Sequence, residues 1–199
     1  MRLIALIGPK RSGKSEVAKV LGWNGFTCVK FAQPLKDMLL SLPGVTNAHV
    51  EGDLKEKPSD IFNGKTVRHV MQTLGTEWGR TCIDENIWLS LWKSKIERLR
   101  RVVTDDCRFL NEAKAVKDLG GEIWEMRREG LKYEGHSSET EMAKIEPDVV
   151  IHNNGTIYDL TLAVNAVLGS LDPRDHWDGQ DIEPPPPRKP DRAIEGSDA

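Results

Sequence analysis

Eight residues near the amino terminus carry the clearest chemistry in the chain: Gly8-Pro9-Lys10-Arg11-Ser12-Gly13-Lys14-Ser15. Their spacing is G-x-x-x-x-G-K-[ST], the pattern of a phosphate-binding loop. Gly8 and Gly13 permit backbone angles and a close approach that a Cβ would block. Successive N–H groups then face one concavity and hold phosphate oxygens. The positive end of the following helix adds to them. Lys14 is suited to neutralise the outer phosphates of a nucleoside triphosphate, and the Ser15 hydroxyl to coordinate Mg²⁺. Lys10, Arg11 and Ser12 lie inside the loop and Glu16 directly after it, so all four border the same triphosphate. A short apolar strand before the loop and a helix-period segment after it supply the setting this motif requires.

A second phosphate-chemistry signal is Val102-Val103-Thr104-Asp105-Asp106. An apolar strand ending in a carboxylate is where such folds hold a residue behind Mg²⁺. The carboxyl ends of parallel strands are also the edge where open sheets bind ligands. Asp105 is favoured over Asp106 for that place, with a turn or helix-capping aspartate as the plain alternative.

Phosphoryl transfer needs positive groups on donor and acceptor phosphates and little else. Lys10, Arg11, Lys36, Arg68, Arg80, Arg108, Arg127 and Arg128 are the candidates. Arg68 and Gln72 are four apart on one helix side and could hold a phosphate and a polar base edge together. A solvated helix face would explain them equally well. Arg127 and Arg128 open a charged, Gly-containing stretch, about residues 127–141, that reads as a lid excluding water. Trp78, in Gly75-Thr76-Glu77-Trp78-Gly79-Arg80, reads as a loop wall on which a base could stack. Trp88, Trp92 and Trp124 read as core, and His136 and His152 as structural.

These side chains need a scaffold. Strands are expected over residues 2–7, 26–31, 101–104, 122–126 and 148–152. Helices are expected over 14–22, 34–42, 67–74, 87–99, 111–119 and 157–168, with 43–64 a loop holding one helical turn. Alternating strands and helices imply an α/β fold, a parallel sheet with helices on both faces. Residues 1–169 are expected to form one domain. Residues 170–199 hold six of the 11 prolines, eight acidic and four basic residues, a composition expected to give a disordered tail with no assigned partner.

Composition narrows the classes. The 199 residues carry 28 Lys+Arg against 31 Asp+Glu, a net charge of −3, which disfavours stable nucleic-acid binding. No apolar run nears the roughly 18–20 residues that cross a bilayer, so no membrane association is expected. Three well-separated cysteines, Cys28, Cys82 and Cys107, fit a reducing cytoplasm. A homodimer is allowed by the sequence but not indicated by it.

Several segments together, GPKRSGKS (8–15), FAQPLKDML (31–39), LGTEWGR (74–80), DDCRFLNEA (105–113), HSSE (136–139) and NNGT (153–156), resemble the phage-type deoxynucleoside monophosphate kinases, within the P-loop nucleotide kinase group. The resemblance spans residues 1–168. It implies a P-loop kinase fold, ATP as phosphoryl donor, Mg²⁺ as cofactor, and a deoxynucleoside monophosphate as acceptor, in the host cytoplasm if the chain is of phage origin. By that likeness Lys14 and Ser15 serve ATP and Mg²⁺, while Lys36 and Arg68 contact the acceptor. Arg108, with Asn111 and Glu112, lies at the sheet edge near it. Arg127 and Arg128 are lid arginines, and His136, Ser138 and Glu139 sit near the acceptor base. Asn153 and Asn154 border the adenine. A kinase for another small acceptor, such as dephospho-coenzyme A or a nucleoside, and a P-loop ATPase or nucleotide-switched binding protein are the alternatives.

Overall fold

The computed structural model describes residues 1–133 and 141–171. The centre is β1 (Arg2–Ile7), paired in parallel with β5 (Arg101–Thr104) on one side and β6 (Glu122–Arg127) on the other. β2 (Thr27–Cys28) and β7 (Val149–His152) complete the sheet in the order β2-β5-β1-β6-β7, with every pairing parallel. A strand covered on both faces has to be apolar throughout, and Leu3–Ile7 are all at most 2% exposed.

Alternation along β1 divides the core. Ile4 and Leu6 pack with Trp124, Met126 and Ile151 under α1 (Lys14–Trp23) and the last helix, Ile157–Leu171. Leu3, Ala5 and Ile7 pack on the opposite face with α5 (Ile87–Ile96) and α6 (Leu110–Asp118), through Trp92, Ile96, Ala113 and Val116. The helix Ile157–Leu171 is α7 below. A third apolar cluster lies beyond the sheet. It joins Leu35 and Leu39 of α2 (Gln33–Leu40), Val50 of α3 (Asn47–Val50), Val67 of α4 (Val67–Gln72), and Trp88.

Three expected elements differ. The strand expected over 26–31 is reduced to Thr27–Cys28 at the sheet edge, although Val29 N still donates to Val103 O at 2.9 Å. The expected loop 43–64 does hold a helical turn, α3, and carries more structure besides. A capping box between Thr46 and His49 starts α3. Two 3₁₀ turns (Asp53–Glu56, Asp60–Phe62) follow, with a hairpin pairing β3 (Pro58–Ser59) with β4 (Lys65–Thr66). Asn63 and Gly64, at φ +50° and +78°, supply the left-handed turn such hairpins need.

The helix expected to stop at Gly75 instead continues as a π-helical stretch, Thr73–Ile83. Trp88 explains it. Its Nε1 donates to Gly75 O at 2.7 Å, and its ring lies where Gly79 has no side chain; a Cβ there would stand 2.5 Å from Trp88 Cζ2. One indole therefore bonds the Gly75 carbonyl and fills the space that Gly79 leaves open. The expected tail falls almost wholly outside the described residues, and α7 runs past the expected domain end at 169 to Leu171.

Candidate active site

All the candidate loops leave the carboxyl edge of one sheet. The phosphate loop follows β1, Lys30 follows β2, Asp105 follows β5, Arg127 ends β6 and Asn153 follows β7. In the loop, Gly8 and Gly13 have φ of +139° and +105°. A Cβ on Gly8 would lie 2.5 Å from Met126 O, and one on Gly13 would collide with the Asn153 amide. Arg11 also adopts a left-handed conformation, φ +69°. Lys14 Nζ donates to Gly8 O (2.6 Å) and Pro9 O (2.9 Å), folding back over the loop. Ser12 Oγ is buried with no hydrogen-bond partner. Lys10 and Arg11 are exposed, and Glu16 pairs with Lys19 at 2.8 Å on α1.

The two aspartates have separate tasks. Asp106 accepts from Phe31 N (2.8 Å), Ala32 N (3.0 Å) and Thr104 Oγ1 (3.0 Å), which fixes the chain after β2. Asp105 Oδ2 instead accepts from Ser15 Oγ at 3.2 Å. Its Oδ1 is buried without a hydrogen bond, and Lys30 Nζ lies 3.8 Å away. Hard oxygens and an unused buried acceptor beside a phosphate loop fit Mg²⁺. Among the described residues no three His, Cys, Asp or Glu side chains cluster around a metal position. A bound ion would therefore complete its shell with phosphate and water oxygens, as Mg²⁺ commonly does.

A cleft of about 240 Å³ lies beside Asp106, lined by Lys36, Lys55, Arg68, Gln72, Arg80 and Arg108, with Phe31, Leu35, Met71, Trp88 and Phe109 as apolar walls. Lys36 is only 5% exposed and pairs with Glu51 at 2.6 Å. Arg68 pairs with Glu56. Arg80 lies 3.0 Å from Glu112 and 4.3 Å over the Phe109 ring. Glu112 Oε2 also caps α6, accepting from Arg108 N (2.9 Å) and Phe109 N (3.2 Å). Burial, with the Asp106 charge nearby, pushes the Glu112 carboxyl up to about 7. Burial and then the charges of Lys36 and Arg68 hold the Lys55 ammonium below its ordinary range, so the cations crowd one another.

Trp78 departs from expectation. Its segment is helical rather than a loop, it is 41% exposed, and it is not among the residues that line this cleft; the indole that does is Trp88, which is buried in the third core cluster as expected of a core residue. Asn111 Nδ2 donates to Asn86 Oδ1 at 2.9 Å. Lys30 and Lys55, single cations on irregular chain, carry no periodic signal and were not singled out by the sequence.

On the other side of the phosphate loop, a cavity of about 500 Å³ is lined by Pro9, Arg127, Arg128, Tyr133, His152 and Asn154. Glu125 organises it, accepting from Arg127 Nε (2.9 Å) and from Tyr133 OH (2.9 Å). Asn153 Nδ2 donates to Ser12 O at 2.9 Å, and its backbone N to Arg127 O at 2.7 Å. The Asn153 amide thus braces the phosphate loop from behind instead of lying free for a base. Asn154 Oδ1 accepts from Glu129 N at 2.8 Å. Of the expected lid, residues 127–133 and 141 are described, while His136, Ser138 and Glu139 lie outside the described residues.

The family model for "Deoxynucleotide monophosphate kinase" matches residues 44–164. A protein of Acanthamoeba polyphaga mimivirus, named "Putative deoxynucleotide monophosphate kinase", is 35% identical over 176 residues, covering 79% of this chain and 91% of that relative. The crystal structure of shikimate kinase from Aquifex aeolicus vf5 matches with a TM-score of 0.52 at 14% identity, over 86% of this chain and 96% of that one. At that identity the likeness speaks for the fold alone. The fold is the one expected, a parallel-sheet P-loop kinase fold with helices on both faces.

Proposed function

Because the chain belongs to the deoxynucleotide monophosphate kinase family, we propose that it transfers the γ-phosphoryl group of ATP to a deoxynucleoside monophosphate, releasing ADP and the deoxynucleoside diphosphate. The observation that carries this reading is the pairing of two anion sites on one sheet edge. The phosphate loop with Ser15 and Asp105 faces the donor. The cleft with Lys36, Lys55, Arg68 and Arg108 faces the acceptor. An uncharged nucleoside acceptor would not need that concentration of cations.

Each group has a task in this scheme. The loop N–H groups and Lys14 hold the β- and γ-phosphates. Ser15, with Asp105 behind it, would hold Mg²⁺, which when bound offsets phosphate charge. Lys36, Arg68 and Arg108 draw in the acceptor phosphate, and Gln72 and Trp88 border its nucleoside. Lys10, Arg127 and Arg128 are assigned to the charge that builds on the transferred group, the two arginines reaching it from the cavity on the other side of the loop. The acceptor phosphate is already largely ionised near pH 7, so no strong base is required. The reaction suits a cytoplasmic setting, in which the three free thiols stay reduced.

A coupled assay tests the reading. ADP formation from Mg-ATP is expected to require a deoxynucleoside monophosphate, and Lys14→Ala to lower turnover about 10³-fold, or about 4 kcal/mol of transition-state stabilisation. Hydrolysis that proceeds equally without any acceptor would refute it.

A further inference from the structure

Glu51 sits between two lysines. Its Oε1 is 2.6 Å from Lys36 Nζ and 3.3 Å from Lys30 Nζ, and Oε2 is 3.4 Å from Lys30. Lys30 Nζ is in turn 3.8 Å from Asp105 Oδ1, the buried oxygen with no hydrogen bond. The charges therefore run Asp105, Lys30, Glu51, Lys36, from the Mg²⁺ side of the phosphate loop to the rim of the cationic cleft. We propose that the Glu51 carboxylate holds the place of the acceptor's phosphate, and that Lys30, together with Lys36, grips that phosphate once Glu51 has moved aside.

Position supports this. An acceptor oxygen must come within roughly 3–3.5 Å of the phosphorus it attacks. Its phosphate must therefore lie next to the metal side of the donor, and Lys30 is the cation that reaches both Asp105 and the cleft side. Charge supports it too. Lys36 is nearly buried, and an unpaired buried ammonium is costly, so it needs an anion whether or not nucleotide is present. A phosphate monoester carries about −1.5 to −2 near pH 7, against −1 for a carboxylate. It is the better partner for two ammonium groups with Lys55 and Arg108 on the same cleft wall.

Glu51 is also built to leave. It is 40% exposed, follows the four-residue helix α3 and precedes Gly52. Burial alone would raise its carboxyl, yet Lys36 and Lys30 hold it below the ordinary range. It is an anion held by these two partners rather than by its own element.

This inference rests on the kinase reading for the identity of the acceptor, and its test does not. Binding of inorganic phosphate to the full chain is measured by calorimetry, with no ATP present. Acceptor KM is measured beside it. Removing the resident charge with Glu51→Gln is expected to tighten phosphate binding and lower acceptor KM about threefold, with ATP KM within twofold. Lys30→Gln is expected to weaken both about tenfold, and Lys30→Arg to restore most of the loss. Phosphate binding that is unchanged or weaker in E51Q, or unchanged in K30Q, overturns the proposal. If no deoxynucleoside monophosphate is turned over by the unaltered protein, the kinase reading fails, and calorimetry still decides the placement of the anion.

Discussion

Glu112 is a carboxylate at 4% exposure that accepts from Arg80 and from two backbone N–H groups. Removing it from water outweighs those bonds, and its carboxyl stands at about 7 rather than 4.5. Between those two pH values the folded chain holds a proton that the unfolded chain has released. Stability from this group is therefore full below about pH 4.5 and is lost as pH rises through about 7. At 1.36 kcal/mol per unit the loss is on the order of 3 kcal/mol. Glu112→Gln cannot titrate. Urea unfolding at pH 5 and pH 8 should show the unaltered protein losing more stability over that interval than E112Q. Equal losses would mean that Glu112 is ionised throughout.

The helix through Gly75 and Gly79 shows what an element can hide from its sequence. Both glycines read as breaks, and Trp78 between them reads as a loop aromatic. A side chain from a later helix reverses that reading, because the Trp88 indole reaches back to cover Gly79 and bond Gly75 O. Gly79→Ala should therefore destabilise the fold by about 1–3 kcal/mol, the usual range for overpacking, and lower acceptor use with it, since Trp88 lines the cleft. Thermal unfolding checks it, and an unchanged Tm would refute the packing argument. By contrast β1, α1, β5 and α6 were legible to within a residue or two, because local periodicity and the phosphate-loop pattern specify them. The segment 43–66 was not. Its turns are short, its strands are two residues each, and Val45 and Val50 are buried by contacts with distant Leu35, Leu39 and Val67. The same reason hid Lys30 and Lys55, whose meaning comes only from neighbours far along the chain.

At the scale of the whole molecule, the sheet order places function at one edge. The chain runs from β1 to β2, returns through β5, and then crosses β1 to reach β6 and β7. Connections diverge on either side of β1, which opens a crevice at its carboxyl end, and the phosphate loop lies there. The final helix, α7, ends elsewhere: Arg2, at the amino end of β1, reaches Leu168 O near the end of α7 at 3.5 Å. The described chain thus ends at the amino edge of the sheet, opposite to the candidate site. The composition of residues 172–199, rich in proline and acid, offers little apolar surface to bury, and both main core clusters are assembled from residues up to Leu168. A chain ended after Leu171 should therefore keep its Tm within about 2 °C, a shift of no more than about 1 kcal/mol for a body of this size, and its kcat/KM for both substrates within twofold. A selective rise in acceptor KM on truncation would show that the acidic tail reaches around to the cationic cleft, and a fall would show that it competes with the acceptor there. Either result would make the tail part of the active site's electrostatics.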